Sequence, residues 1–182
     1  MRVDRALSLT LVGLDEWAAS LLSKGFDAAL DSIPGAETCT RSSELVGKIG
    51  EYLTKHAREI EADLLSKSVQ ETLFFCVGAD PYMSRSQFKT RLTRFLRHRG
   101  TTPLNRHFLS LYFFNLVWFQ AGESFRQVAW TPDMFVKEMA SVERACRNIV
   151  TSTWKSQKLR GPIDPSSAEE LIRNIAERLY GV

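Results

Sequence analysis

Between Asp80 and Glu123 the chain has no acidic residue, although it carries 21 Asp and Glu in all. Surface helices ordinarily interleave charges of both signs and gain i,i+4 pairs by doing so, so the gap counts against a plain solvated face. Residues 1–82 hold 8 Lys and Arg against 13 Asp and Glu, residues 83–107 hold 7 against none, and residues 108–182 hold 9 against 8. The net charge of +3 thus conceals a cationic island in an otherwise mildly acidic chain.

Other shortages exclude further classes. Cys39, Cys76 and Cys146 are odd in number and show no C-x-x-C spacing, which points to buried thiols in a reducing compartment. The longest apolar run, residues 108–119, is interrupted by Ser110 and Asn115 and falls short of the ~20 residues a membrane span needs. Arg2 and Arg5 precede an apolar stretch as in a signal peptide, but Asp4, Asp15 and Glu16 break that pattern. A cytoplasmic protein with no membrane partner is expected. The alternation of Leu7, Leu9 and Leu11 has no second strand candidate to pair with, so residues 3–12 are expected to form a helix or an extended arm on the core.

Catalytic motifs are absent too: there is no phosphate-cradling glycine loop, no G-x-S-x-G and no H-E-x-x-H. His56 with Glu59 and Asp63 on adjacent turns is better read as a surface cluster than as metal ligands. No catalytic residue, metal ligand or cofactor is assigned.

What is present is helical periodicity. Trp17, Leu21, Leu22, Phe26, Ala29, Leu30 and Ile33 recur at three and four, and Pro34-Gly35 ends that stripe. A second helix is predicted from near Ser43 through Leu45, Ile49, Leu53, Ile60 and Leu64, weakened by Gly47 and Gly50 unless something packs against them. The capping box Ser68-Val69-Gln70-Glu71 predicts a third helix, or a restart, as far as Gly78. Ser84-Arg85-Ser86-Gln87 opens a cationic helix that Gly100 closes. Thr102-Pro103 opens the aromatic helix of residues 104–119, and Thr131-Pro132 a long one to about residue 156. Residues 161–165 read as a hinge, and Ser167-Ala168-Glu169-Glu170 starts the last helix. The expected fold is all-α: one domain, a bundle of about six to eight helices around the central aromatic helix. Residues 1–160 would form its core, and residues 161–182 a hinge plus a C-terminal helix docking on the bundle or on a partner. The aromatic helix is apolar over most of its circumference, so it reads as core, with any surplus facing a subunit of a homo-oligomer.

On the cationic helix Phe88, Leu92, Phe95 and Leu96 share one sector, and Arg91, Arg94, Arg97 and His98 lie opposite. The strip from Arg91 to His98 spans ~10 Å, one to two phosphate spacings along a nucleic-acid strand. Planar guanidiniums fork well onto phosphate oxygens and displace counterions. The candidate nucleic-acid-binding residues are Lys89, Arg91, Arg94, Arg97, His98, Arg99 and Arg106. Lys155, Lys158 and Arg160 extend the set if the fold brings them near. The expected function is that of a non-enzymatic, nucleic-acid-associated protein holding DNA or RNA backbone, as part of an assembly. The alternative is a scaffold subunit whose basic face docks an acidic partner, or the acidic N-terminal part of the same chain.

Two resemblances follow from these residues. The run Met83-Ser84-Arg85-Ser86-Gln87-Phe88, continued by Gly100 and Thr102-Pro103, faintly resembles the second half of an AraC-type DNA-binding domain, with the upstream half unmatched. Arg91 and His98, with six residues between them, also form an Arg-x(4–6)-His pair similar to that of the all-helical HEPN-type ribonucleases. That resemblance implies His98 as general acid/base and Arg91 as the group stabilising phosphorane charge, with Leu92 standing where the family carries a polar residue.

Overall fold

Helix formation starts at Arg5 and takes in the alternating leucines. In this computed structural model, which describes residues 5–127, 131–159 and 161–181, α1 (Arg5–Lys24) buries Leu7, Leu11, Leu14, Trp17 and Leu21 on one side. Lacking a strand to pair with, the segment satisfies its backbone groups within a helix. Gly25, at φ 95°, breaks the run, and the short α2 (Phe26–Leu30) folds back so that Trp17 Nε1 donates to Ala29 O at 3.1 Å. The stripe that runs from Trp17 to Ile33 in the sequence is therefore carried by two helices separated at Gly25.

α3 (Ser42–Leu53) and α4 (Glu59–Val77) form an antiparallel hairpin, and here the predicted boundary is corrected. The chain breaks at residues 54–58, and Ser68 sits inside α4 with its hydroxyl donating back to Leu64 O at 2.7 Å. A serine able to cap has instead bonded the preceding turn. The hairpin closes tightly at Gly50, where a Cβ would stand 2.9 Å from Ser66 Oγ, whereas one at Gly47 would meet nothing within 4 Å.

α5 (Arg85–Arg99), α6 (Thr102–Gln127), α7 (Pro132–Gln157) and α8 (Pro165–Tyr180) complete the chain. Thr131 caps α7, its side chain accepting from Met134 N, as its sequence predicts; residues 128–130 lie outside the described residues. α6 packs between α4 and α7 and meets α1, burying Leu104, Phe108, Leu109, Tyr112 and Phe113. Its far end is less covered, with Phe119 56% exposed. α8 lies on α1 and α7 through Ala168, Leu171, Ile172 and Ile175, and its cap is Asp164, three residues earlier than the predicted Ser167. The described residues thus form an all-α multi-helix bundle of eight α-helices without strands. None of these helices is long and apolar enough to cross a membrane. All three cysteines are free and buried, and burial pushes the Cys76 thiol up to about 12.

Candidate nucleic-acid interface

α5 is held on the bundle by its apolar edge and by its first turn. Phe88, Leu92 and Leu96 are fully buried, Phe88 meets Phe26 edge-on at 6.1 Å, and Phe95 meets Phe75 at 6.3 Å. The predicted capping box forms, Ser84 Oγ accepting from Gln87 N while Gln87 Oε1 accepts from Ser84 N. One antiparallel bridge ties this turn to the start of α3: Ser42 N donates to Met83 O at 2.8 Å and Arg85 N to Thr40 O at 2.9 Å.

The cations of this region divide into three groups. Lys89 turns toward the N-terminal part of the chain and binds Asp27 at 2.6 Å, joined there by Arg85, whose Nη1 also donates to Ala36 O. The Asp27 carboxyl is held below its usual range, first by the Lys89 hydrogen bond. Arg91 turns the other way and donates to Val77 O at 3.0 Å, placing a guanidinium on the carbonyl end of α4, where a helix dipole favours it. Only Arg94, Arg97 and His98 face outward as one strip, with Thr90, Thr93 and the flank of Lys89 around a shallow depression of about 430 Å³. Among the described residues none of Arg94, Arg97 and His98 has an ion-pair partner within 4.0 Å.

Arg99 and Arg106 leave the strip altogether. They line a separate cavity of about 320 Å³ at the α5–α6 turn with Phe75 of α4, Pro103, His107 and Ser110 of α6, and Arg147 and Thr151 of α7. Arg106 Nη2 donates to Thr151 Oγ1 at 3.0 Å, while its Nε is buried without a partner. Arg147 pairs with Glu143, its neighbour one turn earlier. His107 stacks on Phe75 with ring centroids 3.8 Å apart and planes at 18°. Burial, with the Arg147 charge added, lowers the imidazole pKa to about 4, so the ring is neutral at pH 7. No lining residue of this cavity is acidic.

Of the predicted residues, then, Arg94, Arg97 and His98 stay together, Lys89 and Arg91 go to opposite flanks, and Arg99 and Arg106 enter the cavity. Sequence reasoning missed Arg147, Thr151, Phe75 and His107 as parts of a cationic site. The one available signal was His107 directly after Arg106; Arg147 and Thr151 arrive through the antiparallel packing of α7 on α6. Lys155 lies one turn beyond Thr151 on the exposed side of α7, and Arg160 lies outside the described residues. His56 is exposed, and no group of three His, Cys, Asp or Glu among the described residues is placed to hold a metal. Comparison with family models, curated proteins and solved structures finds no match to this chain.

Proposed function

We propose that the protein binds the phosphate backbone of nucleic acid through the outward strip of α5, with Arg94 and Arg97 as its main cations and His98 beside them. The observation that carries this reading is two exposed guanidiniums one turn apart, unpaired among the described residues, on a helix without a single acid. Thr90 and Thr93 border the strip with hydroxyl-bearing side chains, a common source of backbone contacts. Arg99 and Arg106 would meet the strand where it passes the α5–α6 turn, and Lys89 contributes from the margin while bound to Asp27.

The same strip suits an acidic protein surface, the runner-up, and docking within the chain already uses Arg85 and Lys89 in that way. A ribonuclease built on Arg91 and His98 has less support, because the Arg91 guanidinium is engaged on Val77 O. Fluorescence anisotropy with labelled single- and double-stranded oligonucleotides tests the proposal. Affinity is expected to fall steeply with salt, and the Arg94→Ala/Arg97→Ala variant to reduce the log–log salt slope by about two. No binding at low salt would sink it, and an acidic polypeptide retained under the same conditions would favour the runner-up.

A further inference from the structure

The cavity at the α5–α6 turn has features that backbone tracking does not need. Three guanidiniums, from Arg99, Arg106 and Arg147, converge on it from three helices, and none of its lining residues is acidic. Arg106 is pre-oriented by Thr151, its Nη2 donating to Thr151 Oγ1 at 3.0 Å. The first turns of α6 form one wall, so the positive end of that helix's dipole adds to the field. Beside the cations stands Phe75, 57% exposed, with His107 stacked on it at 3.8 Å and Phe95 in a T-shaped contact at 6.3 Å. A large aromatic ring is left in water next to a cluster of cations, and the volume of about 320 Å³ is within the range of small-ligand sites.

We propose that this cavity takes a nucleotide, with the phosphate held by Arg99, Arg106 and Arg147 and the base stacked on Phe75. The phosphate neutralises the guanidiniums that line the cavity, and the base covers the exposed part of the Phe75 ring. Naming the ring a nucleobase rests on the backbone-binding reading of the neighbouring strip; the anion-plus-ring chemistry stands without it. The source is a free nucleotide or the phosphorylated end of a strand. Arg147 is the residue on which ligand and protein compete, since Glu143 pairs with it.

Titration calorimetry on the full chain tests this with adenosine 5′-monophosphate, adenosine, inorganic phosphate, O-phosphotyrosine, and a short oligonucleotide with or without a 5′-phosphate. The nucleotide is expected to bind at least ~10-fold more tightly than adenosine or phosphate alone, because neither half makes both contacts. Arg147→Ala and Phe75→Ala should each weaken it ~10-fold or more, and Phe75→Trp should retain it. Glu143→Gln should act in the opposite direction and strengthen binding ~2- to 5-fold by releasing Arg147, a gain that general damage to the fold does not produce. A preference for the 5′-phosphorylated oligonucleotide over the mononucleotide assigns the strand end; equal or tighter mononucleotide binding assigns the free ligand. Arg94→Ala/Arg97→Ala should leave mononucleotide binding unchanged, which separates this proposal from the strip. Binding of neither phosphorylated probe, tighter binding of O-phosphotyrosine, or indifference to both Arg147→Ala and Phe75→Ala overturns it.

Discussion

Asn105 of α6 donates its side-chain amide to Asp15 Oδ1 of α1 at 2.6 Å, with both residues buried. The other carboxylate oxygen accepts the backbone N–H of Ile163 at 3.0 Å. One buried carboxylate therefore fastens three parts of the chain: the first helix, the central helix and the segment that leads into α8. A buried carboxylate is tolerated only where its oxygens are met by donors, and here each oxygen has one. The bond to Ile163 also fixes where the last helix begins, because Asp164 caps α8 directly afterwards.

Removing either partner is expected to be costly. Asn105→Ala leaves Asp15 buried with one donor lost and should lower stability by about 2 kcal/mol; Asp15→Ala leaves an amide and a backbone N–H unmet and should cost about 3 kcal/mol. Urea unfolding followed by circular dichroism measures both. A change under about 0.5 kcal/mol for Asp15→Ala would show that the site is not structural.

The two glycines of α3 should separate. Gly47→Ala adds a methyl into open space within a helix and is expected to stabilise by about 0.5–1 kcal/mol. At Gly50 the same methyl meets Ser66 Oγ at 2.9 Å, so the propensity gain is cancelled and Gly50→Leu should destabilise by about 2 kcal/mol or more. Thermal melts of the three variants check the contrast.

This contrast marks what was legible in the sequence. Local chemistry was: the Ser84 capping box, the glycine that ends α5, the Thr131 cap and the apolar sector of Phe88, Leu92 and Leu96 all depend on residues within a turn or two of one another. The hairpin break at residues 54–58 was not, because Ser68 carries a valid capping pattern and only the approach of α4 to Gly50 decides where the chain reverses. Nor was the division of the cationic helix. Lys89 and Arg91 are two positions apart, yet Asp27 and Val77, which claim them, are 62 and 14 positions from their partners. Arg106 and Thr151 are 45 positions apart, so a cavity built on their contact has no local signature.

Acid should weaken the fold through His107. Its native pKa of about 4 lies below the ordinary value of ~6.5, so between those values the unfolded chain binds more protons and stability rises with pH. The contribution is complete above about pH 6.5 and is lost as pH falls toward 4. With the ring partly open to water, the loss is about 1–2 kcal/mol. His107→Phe, which keeps the stack on Phe75 and removes the titration, should flatten this part of the stability–pH curve measured by denaturant melts.

Arg91 offers the sharpest division among the readings of the cationic helix. If its guanidinium serves as the C-terminal cap of α4, Arg91→Ala should lower stability by about 1 kcal/mol and leave the salt slope of oligonucleotide binding unchanged. Arg94→Ala should do the reverse, reducing the slope by about one with little change in the melt. Substitution of His98 adds the third reading: metal-independent RNA cleavage abolished by both His98→Ala and Arg91→Lys would require Arg91 to leave Val77 O and act beside His98, about two helical turns away. A lysine at position 91 still reaches a helix carbonyl with its ammonium, so on the capping reading Arg91→Lys melts close to the unaltered protein, and only a role in charge stabilisation makes that substitution costly in activity.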